Sequence, residues 1–263
     1  MYSRNEFLKK ATNADEKLII SKVIDRINLC IKRHEMTFTD FLNPTETAFV
    51  YDLIKGITDV NFMIFGGSDE CERNMIGFSP EYMEISESDF PIMAIKVKRN
   101  IKFSSELSHR DYLGSMLGMG IERDKTGDIF IFDEYTILFV SESISDYIGT
   151  NLTKVGRTSV KTEVLPISNV DMPKKNIVEK RSTVSSMRLD SIIGSALNMS
   201  RGKAQDYIKA MKVNVNWSLV SSTSHIVKEG DMISVRGKGR FKIGEEGRMT
   251  KKDRMGVTFL MYV

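Results

Sequence analysis

Cysteine is nearly absent from this 263-residue chain, which holds only Cys30 and Cys71. Neither belongs to a C-x-x-C pair, so no disulfide framework and no zinc site is expected. Two of the three histidines, His34 and His225, read as structural or exposed residues. No metal and no cofactor is therefore expected. No apolar run is long enough to cross a bilayer, and Met1–Lys10 is charged and polar, without the apolar core of a signal peptide. The cytoplasm is the default location, with no membrane partner. Internal repeats and low-complexity tracts are lacking as well. The apolar fraction of 41% excludes global disorder and supports two or three small folded domains.

The net charge of +3 hides an asymmetry. Met1–Pro173 carries 20 Lys and Arg against 27 Asp and Glu, a net −7, while Lys174–Val263 carries 18 against 8, a net +10. A basic C-terminal third on a mildly acidic body suits a polyanionic partner reached by one end of the molecule.

Hydrophobic spacing predicts a helix from Asp15 to about Lys32 and a second over Thr45–Lys55, with Asn43 as cap and Pro44 at its start. Strands are expected at Val60–Gly66, Asn74–Phe78, Ile92–Lys98, Asp128–Phe132, Thr136–Val140 and Ser159–Leu165. Helices are expected at Ser108–Gly118 and Glu142–Gly149. Val170–Arg181 reads as a polar connector or exposed edge. The fold class is α+β: a helical N-terminal domain (1–72), a ferredoxin-like or RRM-like middle domain (73–172) and a C-terminal domain (184–263).

The C-terminal part carries the most specific signal. Arg188–Leu197 and Arg201–Ala210 read as two short helices, the second capped by Ser200. Arg201 and Lys203 lie in a first turn, where cations oppose the helix dipole; an anion bound there would make sense of them. Strands follow at Val213–Asn216 and Met232–Arg236. Arg236-Gly237-Lys238-Gly239-Arg240 then sets three cations around two glycines, which allow close approach to a sugar-phosphate backbone. Trp217 either closes a core or stacks on a base.

The motifs R-L-D at Arg188–Asp190, S-R-x-x-A-x-x-x-I from Ser200, V-x-V-N from Val213 and G-D-x-I-S-V-R-G from Gly230 resemble the alpha-L RNA-binding domain of small-subunit ribosomal protein S-four. F-L-N-P-T-E from Phe41, G-G-S-D-E-C-E-R from Gly66 and H-R-D-Y-L-G-S-M-L-G-M-G-I-E-R-D-K-T-G-D-I from His109 precede it in order. Together with V-N-W at Val215–Trp217, they make the whole chain similar to the YlmH family. The resemblance implies a non-enzymatic RNA-binding protein. Its partners would be structured RNA (rRNA and tRNA) and the large ribosomal subunit, and it would assist tailing of stalled nascent chains in ribosome-associated quality control. A monomer is expected off the ribosome.

The residues expected to hold RNA backbone are Arg188, Ser200, Arg201, Lys203, Lys209, Arg236, Lys238 and Arg240, acting by charge and shape with little base readout. His109 and Arg110, at a helix start, either contact phosphate or cap and pack. The competing reading is an RNA-modifying enzyme of the pseudouridine-synthase kind that uses the C-terminal module as a handle, with Asp111 as its catalytic candidate. A third reading is a regulator that docks protein partners on the acidic N-terminal body. Neither a synthetase core nor the motifs of a modifying enzyme surround these residues.

Overall fold

Asn13 starts the longest helix: its side chain accepts a hydrogen bond from the Glu16 backbone N–H at 2.8 Å, and Asp15 and Glu16 favour the positive helix end. This helix, α2 (Ala14–Arg33), follows a short α1 (Arg4–Leu8) and buries Ile20, Val23, Ile24, Ile27 and Cys30 along one stripe. It stops at His34, which adopts the left-handed conformation with φ 58°. The structure, a computed structural model, describes residues 1–99, 107–170, 177–216, 218–249 and 254–262. Two units divide the chain, Met1–Met172 and Pro173–Val263. Among the described residues no helix is long and apolar enough to cross a membrane.

The segment after α2 pairs as β1 (Thr37–Phe38). Next comes α3 (Pro44–Ile54), fixed by a reciprocal capping box between Asn43 and Glu46. Strands β2 (Val60–Phe65) and β3 (Met75–Pro80) complete a three-stranded sheet in the order β1-β3-β2. The expected division between residues 72 and 73 thus falls in the connection between two paired strands.

The following elements are β4 (Ile92–Arg99), α4 (His109–Gly118), β5 (Thr126–Ile131), β6 (Tyr135–Ser141), α5 (Glu142–Asn151), β7 (Lys154–Val155) and β8 (Thr158–Pro166). Their sheet order, β5-β6-β4-β8-β7 with antiparallel pairs, is the ferredoxin-like arrangement with a short edge strand added. Alternation sends Ile95, Val97, Leu138 and Val140 to the face covered by Tyr112 and Met116 of α4 and Ile148 of α5. Ile92, Ala94, Ile137 and Phe139 face the other way, onto Phe41, Phe65, Met75 and Phe90. Both faces are therefore buried, which explains the unbroken apolar run Ile137–Val140. An RRM-like protein stacks bases on an open sheet face. Here that face is occupied, so the RRM comparison holds for topology and not for a binding surface.

Three stretches that carried the family resemblance meet in this unit. The Arg73 guanidinium donates to the carbonyls of Phe41 (3.1 Å), Arg123 (3.3 Å) and Thr126 (3.0 Å). The Asp128 carboxylate accepts the backbone N–H groups of Glu72 and Arg73 at 2.6 and 2.8 Å. Gly67, at φ 107°, lies so close to the sheet that a Cβ would stand 2.5 Å from the Phe139 ring. These contacts lock the N-terminal loops onto the ferredoxin-like sheet.

The second unit contains β9 (Ile177–Val184), α6 (Leu189–Ala196), α7 (Arg201–Lys209), β10 (Val213–Val215), β11 (Ser218–Leu219), β12 (Met232–Val235), β13 (Gly239–Met249) and β14 (Met255–Tyr262). Its sheet runs β11-β10-β12-β13-β14-β9. The end of the stretch Val170–Arg181, expected as a connector or exposed edge, belongs to β9 (Ile177–Val184), an edge strand paired with β14 along its whole length. Its side chains are mostly exposed, so alternation left little trace in the sequence. The β13–β14 hairpin was not anticipated.

Candidate nucleic-acid interface

Helix α6 buries Leu189, Ile192, Ile193 and Ala196, and α7 buries Ala204 and Ile208, against Val213, Val215, Ile233, Val235, Phe241 and Phe259 of the sheet. That packing fixes both helix starts. Arg188 is the N-cap residue of α6. Ser200 caps α7, its hydroxyl accepting the Lys203 N–H at 3.2 Å. The Ser200 acceptor is thus engaged within the helix it starts. At the other end of α6, Lys180 of β9 donates to the Ser195 and Ala196 carbonyls, both at 2.8 Å, where the helix dipole favours a cation.

The anion at the start of α7 is the protein's own. Asp190 is fully buried and accepts hydrogen bonds from Arg188 (3.3 and 3.1 Å), Arg201 (3.0 and 3.2 Å) and Gln205 (2.8 Å). Burial raises its pKa, but the bonds from Arg188, Arg201 and Gln205 and the charge of Arg201 outweigh that, and the carboxyl lies well below its ordinary range. Both arginines, expected to hold RNA backbone, are engaged by Asp190, and together with it they carry one net positive charge. A buried carboxylate requires such pairing. The arginines keep surface nonetheless, with side-chain exposures of 33% for Arg188 and 50% for Arg201.

Lys203, Lys209, Arg236 and Lys238 are exposed and form no ion pair among the described residues. The β12–β13 turn brings Arg236 beside the end of α7, because the Arg236 N–H donates to the Lys212 carbonyl at 2.9 Å. Gly237 (φ 75°) and Gly239 (φ 102°) are in the left-handed region, so glycine is required by backbone conformation while the space around both is open. Gly237→Ala is expected to cost about 1 kcal/mol through φ strain alone. Chemical denaturation would show it as a lower midpoint with unchanged slope.

Two cationic groups result, one at the starts of α6 and α7 and one at the hairpin, joined by α7. Nine residues of helix separate them by about 13 Å. Arg240 sits in the second group with its guanidinium 5.2 Å from the centre of the Tyr262 ring. Lys212, Arg254 and Tyr262 were missed in the sequence. Arg254 donates to the Thr183 carbonyl at 2.6 Å and lines the same cleft as Arg201. The spacing Lys209-x-x-Lys212 was the available signal for Lys212. Trp217 lies outside the described residues.

His109 and Arg110 open α4 in the other unit. His109 is exposed by surface area, yet desolvation, then the charge of Arg123, lowers its pKa against the opposing charge of Asp128, which favours the neutral ring. Arg110 is exposed. Asp111 accepts from the Ser108 N–H (2.8 Å) and hydroxyl (2.6 Å), so its carboxylate serves as a helix cap. The cavity of about 420 Å³ in this unit has Asp15, Asp25, Asp40, Glu46 and Asp124 in its wall against Lys22 and Arg26, an acidic excess that disfavours a polyanion there.

Fold and surface together define an α+β protein that carries an S4-type RNA-binding module. Family models match along the chain: "YlmH, N-terminal" over residues 15–83, "Putative RNA-binding domain in YlmH" over 86–169 and "S4 domain" over 187–233. A Bacillus subtilis (strain 168) protein named "Ribosome-associated protein quality control protein P2" is 36% identical over 245 residues, covering 93% of this chain and 95% of that protein. The chain belongs to the YlmH family. A solved structure, "Cell division protein ylmH from Streptococcus pneumoniae", aligns with TM-score 0.52 at 21% identity over 62% of this chain and 98% of that one, a likeness of fold.

Proposed function

We propose that this protein is a non-enzymatic RNA-binding protein that associates with the rRNA and tRNA of the large ribosomal subunit and assists ribosome-associated quality control, the tailing of nascent chains on stalled subunits. The observation that carries the reading is the set of cations Lys203, Lys209, Arg236 and Lys238 along α7 and the β12–β13 turn, exposed and unpaired among the described residues. Arg188 and Arg201, held rigid by Asp190, and Arg240 complete the set, with Ser200 fixing the start of α7. The name of the Bacillus subtilis relative supports the ribosomal context. The capping role of Asp111 speaks against it as a catalytic group.

Such a surface binds through phosphate neutralisation and displaced counterions. Co-sedimentation with large subunits is expected to weaken steeply as salt rises, with a log–log slope of about −0.7 to −0.9 per phosphate contacted. A flat salt dependence would refute binding by these cations.

A further inference from the structure

The outer face of the C-terminal sheet carries a row of side chains that phosphate binding does not explain. Strand register sets Asn214 opposite Ser234, Ser234 opposite Arg240 and Arg240 opposite Tyr262, across β10, β12, β13 and β14. Residues directly opposite each other share a face. The neighbouring row, Val215, Ile233, Phe241 and Met261, points to the core. The four outer residues are each partly exposed. At the rim stand Lys212 and Arg236, joined through the backbone bond between them.

These six residues line an open cleft of about 720 Å³, with no carboxylate in its wall. The volume is within the range of small-molecule sites, about 300–1,000 Å³. Its chemistry is divided. The rim offers two cations for a phosphate, while the floor offers an amide, a hydroxyl and a guanidinium–phenol pair. Arginine planes and tyrosine rings are the surfaces on which unpaired bases stack. A paired helix would present only phosphates and sugars to such a floor and leave the Arg240–Tyr262 pair unused. Arg240 and Tyr262 both lie beyond residue 233, where the S4 model match ends, and come from the β13–β14 hairpin that extends the sheet.

We propose that this cleft takes one unpaired nucleotide of the bound RNA, with its phosphate against Lys212 and Arg236 and its base on the Arg240–Tyr262 pair. This inference rests on the RNA-binding reading above and names a substrate feature that charge alone would not select. The asparagine and serine beside the pair supply donors and acceptors for a base edge.

The test uses the full chain and two RNA hairpins that are identical except for one unpaired 2-aminopurine nucleotide in the second. Wild-type protein is expected to bind the bulged hairpin roughly tenfold more tightly and to change the emission of its probe. Tyr262→Leu should abolish the preference and leave affinity for the paired hairpin unchanged, while Tyr262→Phe should keep both. If Tyr262→Leu also weakens paired binding, the decision passes to Arg240→Gln, which must lose the preference for the inference to stand. Equal binding of the two hairpins by wild-type protein, or a preference that survives these substitutions, overturns it. Failure to bind either hairpin would overturn the RNA-binding reading itself.

Discussion

Replacing Asp190 with alanine is expected to destabilise the C-terminal unit by about 2–3 kcal/mol. The substitution removes a fully buried carboxylate and leaves Arg188, Arg201 and Gln205 without their shared acceptor. The two guanidiniums keep part of their surface in water, which holds the cost below that of a wholly buried broken pair. Hydrogen exchange in full-length protein would report it as lost protection confined to α6 and α7. Asp190→Asn keeps the shape and removes the charge, so it separates the two contributions. The pH dependence has a definite sign. The folded-state pKa of Asp190 is depressed, so its stabilisation is present above the ordinary aspartate value of about 4 and is lost as pH falls below that toward the folded value. Wild-type protein should weaken with acid in that window. The Asn variant should start weaker and lose less there, and parallel acid profiles would show that the charge of Asp190 does not stabilise the fold.

Reversing Lys203, Lys209, Arg236 and Lys238 together to glutamate should reduce association with large ribosomal subunits on the order of a hundredfold or more at physiological salt. The change lowers the charge of Lys174–Val263 from +10 to +2. All four side chains are exposed and unpaired among the described residues, so the unit should fold as before. Reversal of Arg201 would be a poor substitute, because a second carboxylate against buried Asp190 would read out as misfolding rather than lost contact. Co-sedimentation of the quadruple variant at the wild-type level, with an unchanged circular dichroism spectrum, would sink the proposed surface.

Local features were legible in the sequence because local physics fixes them. The Asn43 and Ser200 caps and the apolar stripes of α2 and α6 follow from residue types a few positions apart. Partners separated by dozens of residues were not. Periodicity tells which face of an element is apolar and does not tell what covers it, so the burial of both faces of the ferredoxin-like sheet came only with the three-dimensional packing. The role of Arg73 as a carbonyl staple was hidden for the same reason, since its acceptors lie 32 to 53 residues away.

By itself, then, the sequence determined the α+β class, the basic C-terminal third and membership of a family, because composition, periodicity and ordered motifs are properties of the chain. Tertiary structure alone decided which cations remain available. A buried aspartate engages two of the arginines, since a carboxylate removed from water must be matched by donors. The pairing of β13 with β14 likewise brings Tyr262 beside Arg240, a neighbourhood created only when the hairpin closes in register.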